Sequence, residues 1–137
     1  MQDGVLYNAS KTTLIAYPPA RAATSFAVPA GVTSIDTYAF SDCSALTSIT
    51  LPSTLKTIGN YAFSNCSTLT SIVIPDSVEW IYANTFSGCQ RLASVTIGQG
   101  VTYIGDEPFS GCTSLASFTV ENGNTAYKAI DGVLYTA

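Results

Sequence analysis

Residues 43–63, CSALTSITLPSTLKTIGNYAF, recur along the chain at a step of 23 residues, and that recurrence decides the fold. Cys43, Cys66, Cys89 and Cys112 fall on the step, each three residues after Phe40, Phe63, Phe86 or Phe109. Leu46, Leu69, Leu92 and Leu115 keep the same interval, as do Ile49, Ile72, Val95 and Phe118, and then Leu51, Ile74, Ile97 and Val120. Working backwards, Phe26, Val28, Pro29, Val32 and Ile35 align with Ile49, Leu51, Pro52, Leu55 and Ile58. The chain, residues 1–137, is therefore one repeat array of about five coils over residues 17–127.

In the unit that begins at Phe63, Ser71 to Ile74 alternates and is rich in β-branched residues, which predicts a short strand with Ile72 and Ile74 inside. Pro75 ends it. A second extended piece is predicted around Val78 to Ile81, and NTFSGC, residues 84–89, reads as a tight helical or 3₁₀ turn. No coil can bury its apolar side alone, so neighbours stack into a parallel, in-register sheet along one side.

The pattern C-x-x-L-x-x-I-x-(L/I)-P-x-x-(L/V)-x-x-I-G-x-x-A-F resembles the BspA-like leucine-rich repeats of surface proteins from bacteria and some protists. Residues 43–63 match it at every specified position, and the flanking DGVLYN and TLIAYP elements are similar to those that accompany such arrays. Gly98 stands at the proline position, Tyr82 at the glycine position, and Thr85-Phe86 and Pro108-Phe109 replace Ala-Phe, which predicts local changes in the turns. The resemblance implies a leucine-rich-repeat solenoid, a right-handed β/α superhelix of short parallel strands with 3₁₀ or helical turns. It also implies adhesion or protein recognition by a cell-surface or secreted protein, and it carries over no catalytic residue.

Composition narrows the function further. Charged residues are only 10% of the chain and the net charge is −4, so there is no basic footprint for nucleic acid or anionic lipid. No apolar run approaches the ~18 residues needed to span a bilayer, so no membrane insertion is expected. The opening MQDGVLYN lacks the basic and apolar regions of a secretory signal, which is expected to lie outside this chain. Histidine is absent, removing the commonest general base and metal ligand. Asp106-Glu107 and Glu79 are the remaining conceivable acids, but neighbours on a strand face opposite ways and no third group is placed near them. The expectation is a protein that is not an enzyme and uses no cofactor.

Three sets of residues stand out. The cysteines share one inward phase without the paired spacing of a zinc site, which predicts a buried ladder of free thiols with no disulfide and no metal. Outward strand positions form a second ladder of Ser25, Ser48, Ser71, Ser94 and Ser117, with Ala27, Thr50, Val73, Thr96 and Thr119 beside them. Small hydroxylated residues suit an exposed strand in any case, but this is the face on which solenoids commonly bind, and a regular hydroxyl array would also match an ordered lattice such as ice or a polysaccharide. Trp80 occupies a slot held elsewhere by Ser34, Thr57 and Tyr103, and Tyr82 replaces Gly59 and Gly105. With Ile81 inward, Trp80 and Tyr82 should point out, beside Tyr103 of the next coil. Such a cluster either packs over the turns or anchors a protein or glycan ligand from a host or matrix. The alternative to a binding module is a structural spacer with no ligand of its own.

The ends carry a shared pentapeptide. Residues 3–18 read as a hairpin, with apolar runs Val5 to Tyr7 and Leu14 to Tyr17 joined by Asn8 to Thr13. Asp131 to Tyr135 repeats DGVLY near the C-terminus, which predicts a half-present hairpin over 127–137 in a fragment of a longer protein. End-to-end self-association through such termini, or fraying near residues 128–137, is the expected consequence.

Overall fold

The computed structural model describes residues 4–137, and Asp3 of the N-terminal hairpin lies outside them. Each central coil contributes two short strands. The first strands are β3 (Ser25–Ala27), β5 (Ser48–Thr50), β7 (Ser71–Val73), β9 (Ser94–Ile97) and β11 (Ser117–Val120). The second strands are β4 (Ser34–Ile35), β6 (Thr57–Ile58), β8 (Trp80–Ile81) and β10 (Tyr103–Ile104). At the ends lie β1 (Leu6–Tyr7), β2 (Thr13–Ala16), β12 (Tyr127–Ile130) and β13 (Val133–Thr136).

The expected single sheet along one side is instead two sides of a prism. The second strands form a six-stranded sheet in the order β1-β2-β4-β6-β8-β10, parallel except for the antiparallel β1–β2 pair. The first strands pair as β3-β5 and as β7-β9-β11, leaving the two groups unladdered between β5 and β7. A corner separates the sides. Proline has no N–H to give to a ladder, and a turn closes after it: Leu55 N–H reaches Pro52 C=O at 3.1 Å and Val78 N–H reaches Pro75 C=O at 3.1 Å. Gly98 keeps this corner because a Cβ there would meet the Pro75 carbonyl oxygen at 2.5 Å.

The third side corrects the β/α expectation, since no helix occurs among the described residues. Two positions per coil take the left-handed conformation: Tyr38 and Asp42, then Tyr61 and Asn65, then Asn84 and Gly88, with Glu107 and Gly111 last. A right-handed helix cannot run through such residues. The backbone groups are satisfied in another way. Alternate N–H groups cross to the next coil, as in Tyr61 to Ala83 C=O, Phe63 to Thr85 C=O and Asn65 to Ser87 C=O. The intervening ones close tight turns, as in Ala62 to Gly59 C=O and Ser64 to Tyr61 C=O.

Inside the three sides the repeat phases stack on themselves. Phe40, Phe63, Phe86 and Phe109 form a column with ring centroids 5.1, 5.3 and 5.7 Å apart and planes within 10° of parallel. The spacing follows from the ~4.8 Å rise between strands, and each such contact adds about 1 kcal/mol beyond area burial. Tyr17 continues the column at the N-terminal end, 5.2 Å from Phe40. Leu46, Leu69, Leu92, Ile58 and Ile81 are fully buried beside it. Thr85 replaces the alanine of earlier coils without leaving an orphan, because its hydroxyl donates to the Tyr82 carbonyl at 2.7 Å.

At the C-terminus the half-present hairpin is overturned. β12 and β13 pair antiparallel from Tyr127↔Thr136 to Ile130↔Val133, so the partner strand precedes DGVLY and does not have to follow it. Asp131 and Gly132 both have positive φ, the geometry that a two-residue hairpin turn demands.

Candidate functional site

Trp80 and Tyr103 are in-register partners on β8 and β10, with Ile81 and Ile104 as the inward alternates. Trp80 is 47% exposed and Tyr103 is 50% exposed. Tyr82 follows β8, half-buried, with its N–H fixed to the Ile58 carbonyl at 3.0 Å. The Trp80 and Tyr82 rings meet edge to face at 6.1 Å and 86°, a preferred arrangement that holds both rings upright. The three aromatics line a shallow depression of about 370 Å³. In the next coil Gly105 holds the phase of Tyr82, and a Cβ there would come within 2.6 Å of the Ala83 nitrogen. The depression thus lies where the repeat omits a side chain.

The hydroxyl ladder lies on the other strand side. Ser48, Thr50, Ser71, Ser117 and Thr119 are exposed, whereas Ser94 and Thr96 in the middle of β7-β9-β11 are only partly so. The break between β5 and β7 interrupts it, so the array is not one regular lattice. Val73 is 63% exposed beside this break, and a cleft of about 350 Å³ runs there past Thr50 and Ser71. The structure also shows a pair that the sequence reading passed over, exposed Tyr38 and partly buried Tyr61, stacked at 5.0 Å and 8°. They are one repeat step apart, but Asn84 and Glu107 occupy the position in later coils.

Residues 17–129 match the family described as BspA type leucine rich repeat region (6 copies). The chain belongs to that family. Among solved structures, a leucine rich cell surface protein from Faecalibacterium prausnitzii A2-165 is 32% identical with a TM-score of 0.60, over 80% of this chain and 35% of that one. The T. pallidum leucine rich repeat protein is 26% identical with a TM-score of 0.64, over 77% of this chain and 62% of that one. A leucine-rich repeat protein from Bacteroides ovatus ATCC 8483 is 32% identical with a TM-score of 0.59, over 64% and 25% respectively. The chain thus spans less than two thirds of the length of each. No curated protein matches the sequence.

In this BspA-type array the four cysteines are free thiols. Cys66, Cys89 and Cys112 each donate to the carbonyl of Phe40, Phe63 or Phe86 in the preceding coil, all at 3.1 Å. Cys43, Cys66 and Cys89 are buried, but Cys112 is partly exposed, which corrects the expectation of a wholly buried ladder. The cause is the thinner cover at the C-terminal end, where Phe109, Leu115 and Phe118 are also only partly buried. Burial pushes the Cys43 thiol up to about 12, with the Asp42 carboxylate adding to the rise. Glu79 faces Lys56 at 3.9 Å with both side chains more than half exposed, a surface pair of little energetic weight. Among the described residues no group of three or more Cys, Asp or Glu is placed to hold a metal, and no helix is long and apolar enough to cross a membrane.

Proposed function

We propose that this array is a non-catalytic, protein-binding segment of a cell-surface or secreted protein, adhering to a host or matrix protein through Trp80, Tyr82 and Tyr103. The observation that carries the reading is the cluster of three rings in a shallow depression, on a strand side where the positions equivalent to Trp80 in the preceding coils, Ser34 and Thr57, are small and hydroxylated. Large, stiff aromatics in a concave patch supply affinity at low conformational cost, and such residues dominate measured binding hot spots. The likeness to a leucine rich cell surface protein supports the location. A spacer role draws its support from the stacked phenylalanine column and inter-coil backbone bonds, which make the rod stiff.

The test is biolayer interferometry of the native chain against immobilised matrix and host-surface proteins, alongside Trp80→Ala and Tyr103→Ala. Both substitutions alter exposed side chains and should leave the circular dichroism unchanged. The binding reading expects at least one partner whose affinity falls about thirtyfold or more, the weight of a central anchor. Retained affinity in both variants removes the aromatic patch, and a native chain that engages nothing leaves the spacer.

A further inference from the structure

On the opposite flank of Tyr82 lies a second depression, of about 310 Å³, that the aromatic patch does not use. It is a product of the repeat phase. Asp36, Gly59 and Tyr82 occupy the same position in three successive coils, so a missing side chain sits between a carboxylate and a ring. Gly59 cannot be replaced without disturbance, because its Cβ would fall 2.9 Å from the Thr37 nitrogen and 3.1 Å from the Ile35 carbonyl oxygen. Ser34, Thr57 and Asn60 complete the walls.

Two exposed polar side chains of this trough, Asp36 and Asn60, are oriented by backbone hydrogen bonds. Asn60 Oδ1 accepts the Ala83 N–H at 2.9 Å, which commits the oxygen to the backbone and leaves the Asn60 NH₂ as a free donor. One oxygen of Asp36 accepts the Thr37 N–H at 2.9 Å, and the other remains an acceptor. Tyr82 is braced from behind by its edge-to-face contact with Trp80. The trough therefore offers a donor at Asn60, an acceptor at Asp36, the Thr57 hydroxyl, which can serve as either, and the Tyr82 ring, while the Ser34 hydroxyl is shared with that of Thr13 at 3.0 Å.

We propose that the trough over Gly59, between Asp36, Asn60 and Tyr82, is a binding site for a neutral saccharide residue. Its hydroxyls would pair with Asp36 and Asn60 while its C–H face lies on the Tyr82 ring. A mixed set of donors and acceptors beside an aromatic surface is what a polyhydroxylated ring requires. A basic side chain would find acceptors and a ring here, but the Asn60 NH₂ would oppose its own donors. Acidic or sulfated sugars meet the Asp36 carboxylate in a chain whose net charge is already −4. The site is separate from the one proposed for a protein partner, sharing only the Tyr82 ring.

The test uses the native chain, ¹⁵N-labelled, titrated by NMR with neutral gluco-, manno-, galacto- and N-acetylglucosamine hexaoses, with heparin and sialyllactose, and with tri-arginine. A neutral hexaose is expected to shift the Asn60 side-chain amide saturably. Asn60→Asp keeps the acceptor for Ala83 N–H and removes the donor, and Asp36→Asn keeps shape and removes charge. Each is expected to weaken the neutral sugar by about tenfold, the weight of one hydrogen bond to a charged or preset group. Tyr103→Ala provides the contrast, since Tyr103 does not line the trough and its truncation should leave saccharide binding unchanged. Absence of any saturable shift with the neutral hexaoses overturns the proposal, as does binding unaffected by Asn60→Asp. A preference for heparin, sialyllactose or tri-arginine at Asn60 overturns it equally. Because Asp36 and Asn60 do not line the patch of Trp80 and Tyr103, failure here leaves the protein-binding reading standing, and the reverse also holds.

Discussion

Each inward residue does its work through the coil before it, and the cysteines show this most clearly. The thiol of Cys66 bonds to the Phe40 carbonyl, which also takes the N–H of Cys43 at 3.3 Å, so one oxygen links two coils. The protonated thiol is the form that fits. Burial raises the Cys43 thiol to about 12, whereas an unfolded cysteine titrates near 8.5. The unfolded chain therefore binds fewer protons than the native one between these values, and stability falls as pH rises from about 8.5 towards 12. Below about 8.5 the contribution is fully present. A plot of unfolding free energy against pH should slope downwards in that window, less steeply for Cys43→Ala; an identical slope would uncouple the thiol from folding. Under native conditions at neutral pH, a thiol reagent should modify Cys112 first and slowly, with Cys43, Cys66 and Cys89 protected until the chain unfolds.

At the scale of the element, the left-handed turn residues decide whether a coil can close. Gly88 has φ of 78°, and a Cβ on it would run into the Asn65 side-chain amide. Gly88→Ala is expected to cost about 1–2 kcal/mol, while Asn65→Gly, at φ of 58°, stays within about 0.5 kcal/mol. Urea unfolding of the two variants checks the asymmetry, and equal losses would contradict it. These positions also show how far the sequence can be read. Asp42, Asn65, Gly88 and Gly111 are all residue types that tolerate positive φ, so one bend per coil carries a local signal. Tyr38 and Tyr61 carry none, since tyrosine gains nothing from that conformation, and without them the segment reads as helical. The strands and the inward phases are legible because alternation sorts Ile72 from Val73 and Ile81 from Trp80. The same alternation turns Trp80 and Tyr103 outward. The trough at Asp36 and Asn60 is only half legible, because the 23-residue phase aligns Asp36, Gly59 and Tyr82 but nothing in the pattern shows the Asn60 amide oriented by the Ala83 N–H. The hairpin at the C-terminus is misread for a related reason: Lys128 to Ile130 lacks the pattern of β2, so its pairing with β13 shows only in the register.

Over the whole molecule, the two ends differ in how well they are closed. Val5, Leu14 and Tyr17 are buried to 0%, 0% and 2% exposure under β1 and β2. At the other end Phe109, Cys112, Leu115, Phe118 and Val120 are only partly buried. The C-terminal hairpin is tied in by polar bonds: Phe118 N–H reaches Gly132 C=O at 2.9 Å, and Ile104 N–H reaches the Tyr127 hydroxyl at 2.8 Å. Asn124 adds two more to the carbonyls of Gly98 and Val101. Ile130, Val133 and Tyr135 nevertheless remain about half exposed. Self-association through this apolar hairpin is therefore expected, with sedimentation coefficients that rise with concentration and revert to monomer for Val133→Ser with Tyr135→Ser; monomer at every concentration would dismiss it.

A solenoid's stability is close to a sum of coil and neighbour-interface terms, so the coil with the weakest interface opens first. Leu69 is fully buried between two complete coils, and Leu69→Ala should cost about 3 kcal/mol through lost transfer energy and the cavity left behind. Leu115 holds the same phase two coils on, but it is only partly buried and one neighbour is a hairpin in place of a coil. Its truncation should cost less than half as much. The difference has a dynamic counterpart in native-state hydrogen exchange. Amides of β5 to β8 should exchange only through global unfolding, whereas those of residues 109–137 should exchange through a smaller opening that leaves the phenylalanine column from Tyr17 to Phe86 intact. Leu115→Ala should speed exchange at the C-terminal end without altering β5 to β8. Leu69→Ala should speed both. Uniform protection along the chain, or equal costs for the two leucines, would show that the last coil is as firmly held as the middle ones.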